Sequence, residues 1–180
     1  MNVLHVASEV APFSKTGGLG DVLAALPRAL AQQGANRVTV VSARYGSVDP
    51  QRHGLAKRLR KLTVNVGGQH FEVGLFEGRL PGPGPQVTVY LVDHPLFSDR
   101  PEVYGPGDHR RYALLAKGAI EWLKQQHTHP AIIHCHDWAA SLVPLFLSLA
   151  KAQDPILAPV KTVLTVHDPE QRGLFERSTL

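Results

Sequence analysis

The sequence has one cysteine, little charge and no long apolar run, and each shortage excludes a class of protein. Cys135 is the single cysteine of 180 residues, so no internal disulfide forms and a reducing, cytoplasmic location is expected. No apolar run reaches the ~18 residues of a membrane-spanning helix, so no membrane partner is expected. The first residues lack the basic segment and apolar stretch of a signal peptide and predict a strand. A hydrophobic share of 43% against 19% charged residues excludes a disordered tail.

The charge balance is mildly basic, with 19 Lys and Arg against 15 Asp and Glu. The one dense basic cluster consists of Lys57, Arg58, Arg60 and Lys61. A nucleic-acid-binding segment would place aromatic stacking residues beside such a cluster, whereas the first aromatic residue after it is Phe71. The cluster therefore predicts a solvated face, and no nucleic-acid partner is expected. A net charge of +4 is weakly favourable for a small anionic ligand such as a sugar nucleotide.

Strand and helix patterns alternate along the chain. Helical spacing of apolar residues marks residues 18–33, 108–127 and 138–151. Short apolar runs predict strands at residues 2–7, 38–41, 87–92, 131–136 and 161–166, and a hairpin turning at residues 67–68. Residues 93–107 carry proline and glycine and predict an ordered surface loop. This order predicts a single α/β domain over residues 1–180, with a mostly parallel sheet and flanking helices.

Polar loops follow three of the predicted strands, at residues 8–18, 134–138 and 167–173. The carboxyl ends of parallel strands share one edge of the sheet, and α/β proteins bind ligands at that edge. The three loops are therefore expected to form one site.

Residues 15–22, with the sequence KTGGLGDV, predict a phosphate-binding loop. Gly17 and Gly18 allow the backbone to approach a ligand, the following helix directs N–H groups at it, and Lys15 adds charge. The alternative is a tight glycine turn with a solvated lysine. Ser14 stands where a P-loop needs glycine, and Leu23 stands at the last glycine of the dinucleotide fingerprint. No nicotinamide or other cofactor is therefore expected.

Residues 134–138, with the sequence HCHDW, end a predicted strand. Asp137 would accept a hydrogen bond from a sugar hydroxyl or cap the next helix, and Trp138 would stack on a sugar or pack in the core. His134 and His136 share a face of the strand, which raises zinc as an alternative, with His167 or Cys135 as a further ligand. No closed four-ligand spacing appears, so hydrogen-bonded histidines are favoured and no metal is expected.

His167 follows the last predicted strand and is a candidate site residue, with a loop histidine as the alternative.

These motifs, in this order, resemble the N-terminal lobe of bacterial glycogen synthase and plant starch synthase. The resemblance covers nearly the whole chain and is carried by residues 8–12, 15–22, 44–46, 93–97, 99–105 and 134–138. It implies a Rossmann-like lobe of a two-lobed GT-B enzyme. Such an enzyme is a retaining glycosyltransferase that moves glucose from ADP-glucose to the non-reducing end of an α-1,4-glucan, without a metal. The C-terminal nucleotide-binding lobe is expected to be absent.

The resemblance also implies residue roles. Lys15 and the backbone of Gly17 and Gly18 would contact the donor diphosphate. Three residues would take catalytic roles near the reacting sugars, the acceptor and the donor glucose respectively: Asp21, Asp137 and His167. Three more would contact the sugar acceptor: Glu9, Phe97 and Trp138.

The last loop departs from the family pattern. Asp168 stands where the family has Asn, and its negative charge would lie near an anionic leaving group. Gln171 and Arg172 replace an aromatic residue and Gln. Without a second lobe the cleft is open to water, so the isolated chain is expected to transfer glucose poorly or not at all. The alternatives are a non-catalytic glucan-binding lobe or a truncated remnant, and self-association through the exposed interlobe face is expected.

Overall fold

The structure is a computed structural model that describes residues 1–34 and 37–176. Within these residues seven strands form: β1 (Asn2–Val6), β2 (Arg37–Ala43), β3 (Ala56–Val66), β4 (Gln69–Arg79), β5 (Thr88–Asp93), β6 (Ile132–His136) and β7 (Lys161–Thr165). The helices are α1 (Gly18–Gln32), α2 (Pro95–Ser98), α3 (Asp108–Lys124) and α4 (Val143–Lys151), with 3-10 turns at Trp138–Ala140 and Pro155–Leu157.

The strands form one sheet in the order β3-β4-β5-β2-β1-β6-β7. The five strands from β5 to β7 in this order are parallel, and β4 pairs antiparallel with both β3 and β5. The predicted α/β fold with a mostly parallel sheet is therefore confirmed. The chain winds in one direction from β1 to β2 and in the other from β1 to β6, so β1 and β6 form the topological switch point.

The core lies around the central strands and α3. In β1 and β2 nearly every residue is buried, as expected for parallel strands covered on both faces. Leu115, Ile120 and Leu123 of α3 recur at helical spacing and are buried. The edge strand β7 differs, because Val163 and Leu164 are 44% and 45% exposed.

Two predicted elements differ from the structure. The helix predicted over residues 138–151 is divided, since Pro144 at the start of α4 cannot continue a preceding helix. Residues 93–107 are not only a surface loop, because they contain α2, whose Phe97 is buried. Among the described helices, none combines the length and apolar character needed to cross a membrane.

Candidate functional site

One pocket of about 430 Å³ opens at the carboxyl edge of the sheet, beside the switch point. Each of the three predicted loops contributes to its wall, which includes Glu9, Thr16, Gly17, Gly18, Leu19, Val22, Tyr104, Asp137, Trp138, His167, Asp168 and Gln171. The expectation that the three loops meet is confirmed. Tyr104 comes from the loop between α2 and α3, and only its place in the resembling segment marked it beforehand.

The carboxylate of Glu9 anchors the predicted phosphate-binding loop, which we call the glycine loop. Its Oε2 accepts hydrogen bonds from the backbone N–H groups of Thr16 and Gly17, at 2.5 and 3.3 Å. Its Oε1 accepts from Thr16 Oγ1 and from the Tyr104 hydroxyl, both at 2.9 Å. Glu9 is 2% exposed, and its carboxylate oxygens already accept four hydrogen bonds, from Thr16, Gly17 and Tyr104. The residue also lines the pocket, and its contact with a sugar stays a prediction.

The N-terminus of α1 remains the anion-attracting end of the loop. Gly17 is the N-cap residue, and no side chain of the described residues caps the helix. Glu9 already takes the Gly17 N–H, so the first-turn amides that follow, beginning with Gly18, are the donors directed at a ligand. Lys15 Nζ lies 2.7 Å from Asp21 Oδ2 in an exposed ion pair beside the pocket. A bound anion would therefore compete with Asp21 for Lys15.

Asp137 adopts a backbone conformation that residues other than glycine rarely take, with φ 56° and ψ −175°. The cost of such a conformation is about 1–3 kcal/mol, and it commonly marks a functional position. Its N–H donates to Thr165 O at 2.9 Å, and its Oδ1 accepts from the His167 N–H at 2.6 Å. Asp137 thus ties β6 to the loop after β7, and its carboxylate lines the pocket.

Trp138 lies between the pocket and a neighbouring aromatic cluster. Its ring lies edge-on to Tyr112, at a centroid distance of 5.1 Å, and to Phe175, at 5.6 Å. Gly173, with φ +61°, passes so close that an added Cβ would lie 2.3 Å from the indole. Trp138 is therefore partly core and partly pocket wall, which joins the two alternatives that the sequence leaves open.

Phe97 is the one predicted site residue that lies outside the pocket and inside the core. It is 0% exposed and packs against Tyr45 and Tyr112. The expected sugar contact is therefore wrong, because α2 turns this side chain away from solvent.

A buried polar network surrounds Phe97; we call Tyr45, Tyr104, Tyr112, Asp108 and Arg111 the tyrosine network. Arg111 binds Asp108 Oδ1 at 2.8 Å and the carbonyl oxygens of Val103 and Glu102 at 3.1 and 3.0 Å. Tyr45 donates to Ser8 O at 2.7 Å. Burial raises the pKa of all three phenols, so they stay protonated and act as donors. The network therefore fixes the segment that contains Ser8 and Glu9 and the loop that contains Tyr104.

A row of histidines lies on the other side of the pocket; His5, His136 and His167 are called the histidine row. His5 Nδ1 is 3.0 Å from His136 Nε2, and His136 Nδ1 is 3.0 Å from His167 Nε2. Burial lowers the pKa of His5 to about 3 and that of His136 to about 2, so both rings are neutral near pH 7. Sequence reasoning missed His5. The sequence shows a histidine on the first strand, but its relevance depends on the pairing of β1 with β6, in which His5 lies opposite His134.

The histidines that lie close enough to share a metal ion are not the set considered from the sequence, because His5 takes the place of His167 or Cys135. Nitrogen atoms of His5, His134 and His136 lie within 4.8 Å of one another. However, His134 and His136 stack face to face at 4.1 Å, so their in-plane lone pairs do not converge on one point. His134 Nε2 already pairs with Thr165 Oγ1 at 2.7 Å. Cys135 is buried, which raises its thiol pKa to about 12.

Three residues of the basic cluster on β3 have acidic partners. Three ion pairs are present: Lys57 with Asp93, Arg58 with Glu77, and Lys61 with Glu72. The pairing favours the solvated face that the sequence predicted.

Comparison with known proteins gives a consistent set of relatives. The starch synthase catalytic domain family matches residues 2–180. A glycogen synthase of Anaeromyxobacter dehalogenans is 44% identical over 187 residues, and one of Geotalea uraniireducens is 37% identical over 186 residues; each match covers 100% of this chain and 37% of the relative. The solved catalytic domain of starch synthase IV from Arabidopsis thaliana, bound to ADP and acarbose, is 31% identical with a TM-score of 0.82. That match covers 94% of this chain and 34% of the other. The chain thus spans about a third of the length of its relatives.

Proposed function

This chain belongs to the starch synthase catalytic domain family, and we propose that it forms the half of a retaining glucosyltransferase that holds the glucan acceptor and the diphosphate of ADP-glucose. Its mostly parallel sheet is the N-terminal lobe of the two-lobed GT-B fold of that family. The starch synthase IV domain is bound to ADP and acarbose, which supports a nucleotide and a glucan as ligands of the complete enzyme.

The observation that carries the proposal is the single pocket in which the start of α1 faces Asp137 and His167. An N-terminal helix end attracts phosphate, and a carboxylate beside it accepts hydrogen bonds from sugar hydroxyls. A sugar nucleotide beside a glucan supplies both the phosphate for the helix end and the hydroxyl groups for the carboxylate.

The residues divide the reaction between them. As the bond from the anomeric carbon to the diphosphate breaks, negative charge grows on the leaving oxygen. Lys15 and the first amides of α1 stabilise that charge, once the diphosphate has drawn Lys15 from Asp21. The oxygen of the glucan hydroxyl bonds to the anomeric carbon on the face that the diphosphate leaves, and the hydroxyl proton passes to the departing diphosphate oxygen.

Acceptor and donor sugars are positioned by the other two loops. Asp137 uses Oδ1 to hold the His167 loop, and its other carboxylate oxygen accepts from the acceptor glucan. Trp138 supplies an apolar wall for a sugar ring, and His167 contacts the donor glucose. Asp168 also lines the pocket, where its charge opposes an anionic ligand. Its Oδ1 accepts from the Glu170 N–H at 2.9 Å, so the carboxylate also stabilises the turn.

The isolated 180 residues leave this site open to water. The side chains of Lys15 and Asp21 are 50% and 60% exposed, and charge stabilisation weakens in such surroundings. We expect this chain alone to bind ligand weakly and to transfer no measurable glucose. A non-catalytic glucan-binding lobe is the second candidate, favoured by the aromatic wall that Trp138 and Tyr104 form in the pocket.

The test measures transfer and binding on the same preparation. Labelled ADP-glucose and glycogen report transfer, while NMR shift changes report binding of ADP and of a maltooligosaccharide. We expect no transfer, and ADP binding that is lost in Lys15→Ala but kept in the control Lys61→Ala. Measurable transfer by the chain alone, or ADP binding that is equal in both variants, would contradict the proposal. Glucan binding without ADP binding would favour the second candidate.

The proposal includes weak self-association and a cytoplasmic location. Apolar side chains of α4 and β7 are exposed, including Leu145, Leu149 and Val163, which supports association. The single cysteine is buried and unpaired, which supports a reducing compartment. Light scattering that shows a monomer at high protein concentration would contradict the association.

A further inference from the structure

The histidine row runs across adjacent parallel strands and ends at the pocket. His5 lies on β1 and His136 on its neighbour β6, and His167 lies two residues after the end of β7. His5 and His136 are both 0% exposed, whereas His167 is exposed and lines the pocket. The row therefore connects the middle of the sheet with the site.

The rings meet nitrogen to nitrogen rather than face to face. Both contacts combine a centroid distance of 5.3 Å with a nitrogen separation of 3.0 Å, so the two nitrogens lie near the line that joins the ring centres. The ring planes differ by 26° and 11°. This is the alignment of an in-plane N–H···N hydrogen bond, in which one nitrogen donates and the other accepts.

Each neutral imidazole carries one proton, so the two bonds of the row share a direction. In one direction every proton is on Nδ1, and each ring donates towards His167. In the other direction every proton is on Nε2, and each ring donates towards His5. Since His136 contributes one nitrogen to each bond, it cannot donate in both.

The buried end of the row decides between the two directions. Among the described residues, His5 Nε2 is a buried atom without a hydrogen-bond partner. The Nε2 direction would leave an N–H donor there, in addition to the Arg111 Nε–H that the described residues already leave without a partner, and an unmade buried donor loses its full solvation. The Nδ1 direction leaves only an aromatic lone pair. At the other end water satisfies either form of His167, because this ring is exposed.

We propose that His5 and His136 are positioning residues that fix His167 in its Nδ1–H tautomer, so that the pocket receives a hydrogen-bond donor from this ring. His136 donates from Nδ1 to His167 Nε2, and His5 donates from Nδ1 to His136 Nε2. The remaining nitrogen of His167, Nδ1, then donates to an oxygen of the ligand. This assignment concerns the ring proton alone and does not depend on which sugar nucleotide fills the pocket.

The test is ¹⁵N NMR of the imidazole nitrogens of the ligand-free chain, at about pH 8, above the ordinary imidazole pKa of ~6.5. Protonated and unprotonated ring nitrogens have well-separated shifts, and two-bond couplings to the ring protons assign them. We expect protonated Nδ1 and unprotonated Nε2 in all three rings of wild type. Protonated Nε2 in His167, or a mixture of both forms, would overturn the proposal without any variant.

Two variants separate tautomer control from folding. In His136→Phe we expect His167 to populate both tautomers, because water replaces His136 at Nε2. In the control His127→Phe, at an exposed position outside the row, His167 should keep the wild-type spectrum. A His167 spectrum that is unchanged in His136→Phe would overturn the proposal.

Discussion

The tyrosine network and the histidine row flank the same pocket, yet they handle burial in opposite ways. The tyrosine network contains a buried ion pair, and Arg111 adds two backbone carbonyl oxygens as partners. His5 and His136 of the histidine row are uncharged near pH 7. Within the described part of the chain, each side contains one buried nitrogen without a hydrogen-bond partner, His5 Nε2 in the row and Arg111 Nε in the tyrosine network. A buried charge survives only when it is paired and hydrogen-bonded, whereas a buried imidazole can lose its proton.

The difference indicates a division of labour between the two sides. The tyrosine network joins segments that are distant in sequence, since Tyr104 donates to Glu9 and Tyr45 donates to the carbonyl oxygen of Ser8. It therefore carries stability. The histidine row joins strands that the sheet already holds together, and so its effect falls on proton positions and on the pH dependence of folding.

Removing the charge from the tyrosine network should produce the largest effect. Arg111→Ala leaves Asp108 buried without its cation, and breaking such a pair costs about 3–5 kcal/mol. Urea unfolding measures the loss. Arg110→Ala is the matched control, because this neighbour is exposed and its guanidinium donates to Gln69, so the free energy of unfolding should change by less than ~1 kcal/mol. If both variants lost the same free energy of unfolding, the tyrosine network would contribute no more to stability than an exposed arginine.

Acid should weaken the histidine row. The folded pKa values of His5 and His136, about 3 and about 2, lie below the unfolded value of ~6.5, so the unfolded chain binds more protons below that pH. Stability is therefore fully present above about pH 6.5, and each ring removes about 1.4 kcal/mol per pH unit below it, down to its folded pKa.

Urea midpoints between about pH 7 and pH 5 measure this slope. The slope is proportional to the number of protons taken up on unfolding, and His5→Phe should reduce that number by one proton. His127→Phe, at an exposed position, should not change the slope. A slope that is the same in wild type and His5→Phe would mean that His5 does not titrate on unfolding.

Glu9 belongs to the tyrosine side, and its substitution tests whether that side also shapes the site. Glu9→Gln places an NH₂ group among four donors that now meet a carboxylate. We expect a loss of about 1–3 kcal/mol in the free energy of unfolding and weaker ADP binding, because the glycine loop loses its anchor. Glu72→Gln, at an exposed ion pair, should change neither quantity measurably. Unchanged ADP binding in Glu9→Gln would mean that the loop keeps its shape without the carboxylate.

Local patterns in the sequence predict the strands, the sheet class and the three loops, because periodicity and glycine placement act over a few residues. The division of the helix predicted over residues 138–151 was missed, although Pro144 carries a local signal for it. Two side-chain positions carried no such signal. Phe97 lies in a segment that resembles the family, yet its direction depends on how α2 packs against Tyr45 and Tyr112.

The partner of His5 was hidden for a different reason. The 131 residues that separate it from His136 are bridged only by the pairing of β1 with β6. A strand pattern shows which residues share a face, but it does not show which strand lies beside it or in which register. The histidine row, like the four bonds of Glu9, is therefore a property of the assembled sheet.

The Lys15–Asp21 ion pair is exposed, in contrast to the buried ion pair of the tyrosine network and the buried rings of the histidine row. Substituting either residue should therefore have the smallest effect on stability. Exposed pairs contribute about 0–1 kcal/mol, so Lys15→Ala and Asp21→Asn should unfold near the wild-type urea midpoint. Their effects on ADP binding should be opposite. Lys15→Ala removes the cation, whereas Asp21→Asn releases it from a competing anion and should strengthen binding several-fold at low salt. Lys61, whose Nζ lies at the same 2.7 Å from Glu72, is the control, since it is remote from the pocket. If Asp21→Asn weakened ADP binding as Lys15→Ala does, the two residues would have to hold the ligand together rather than compete.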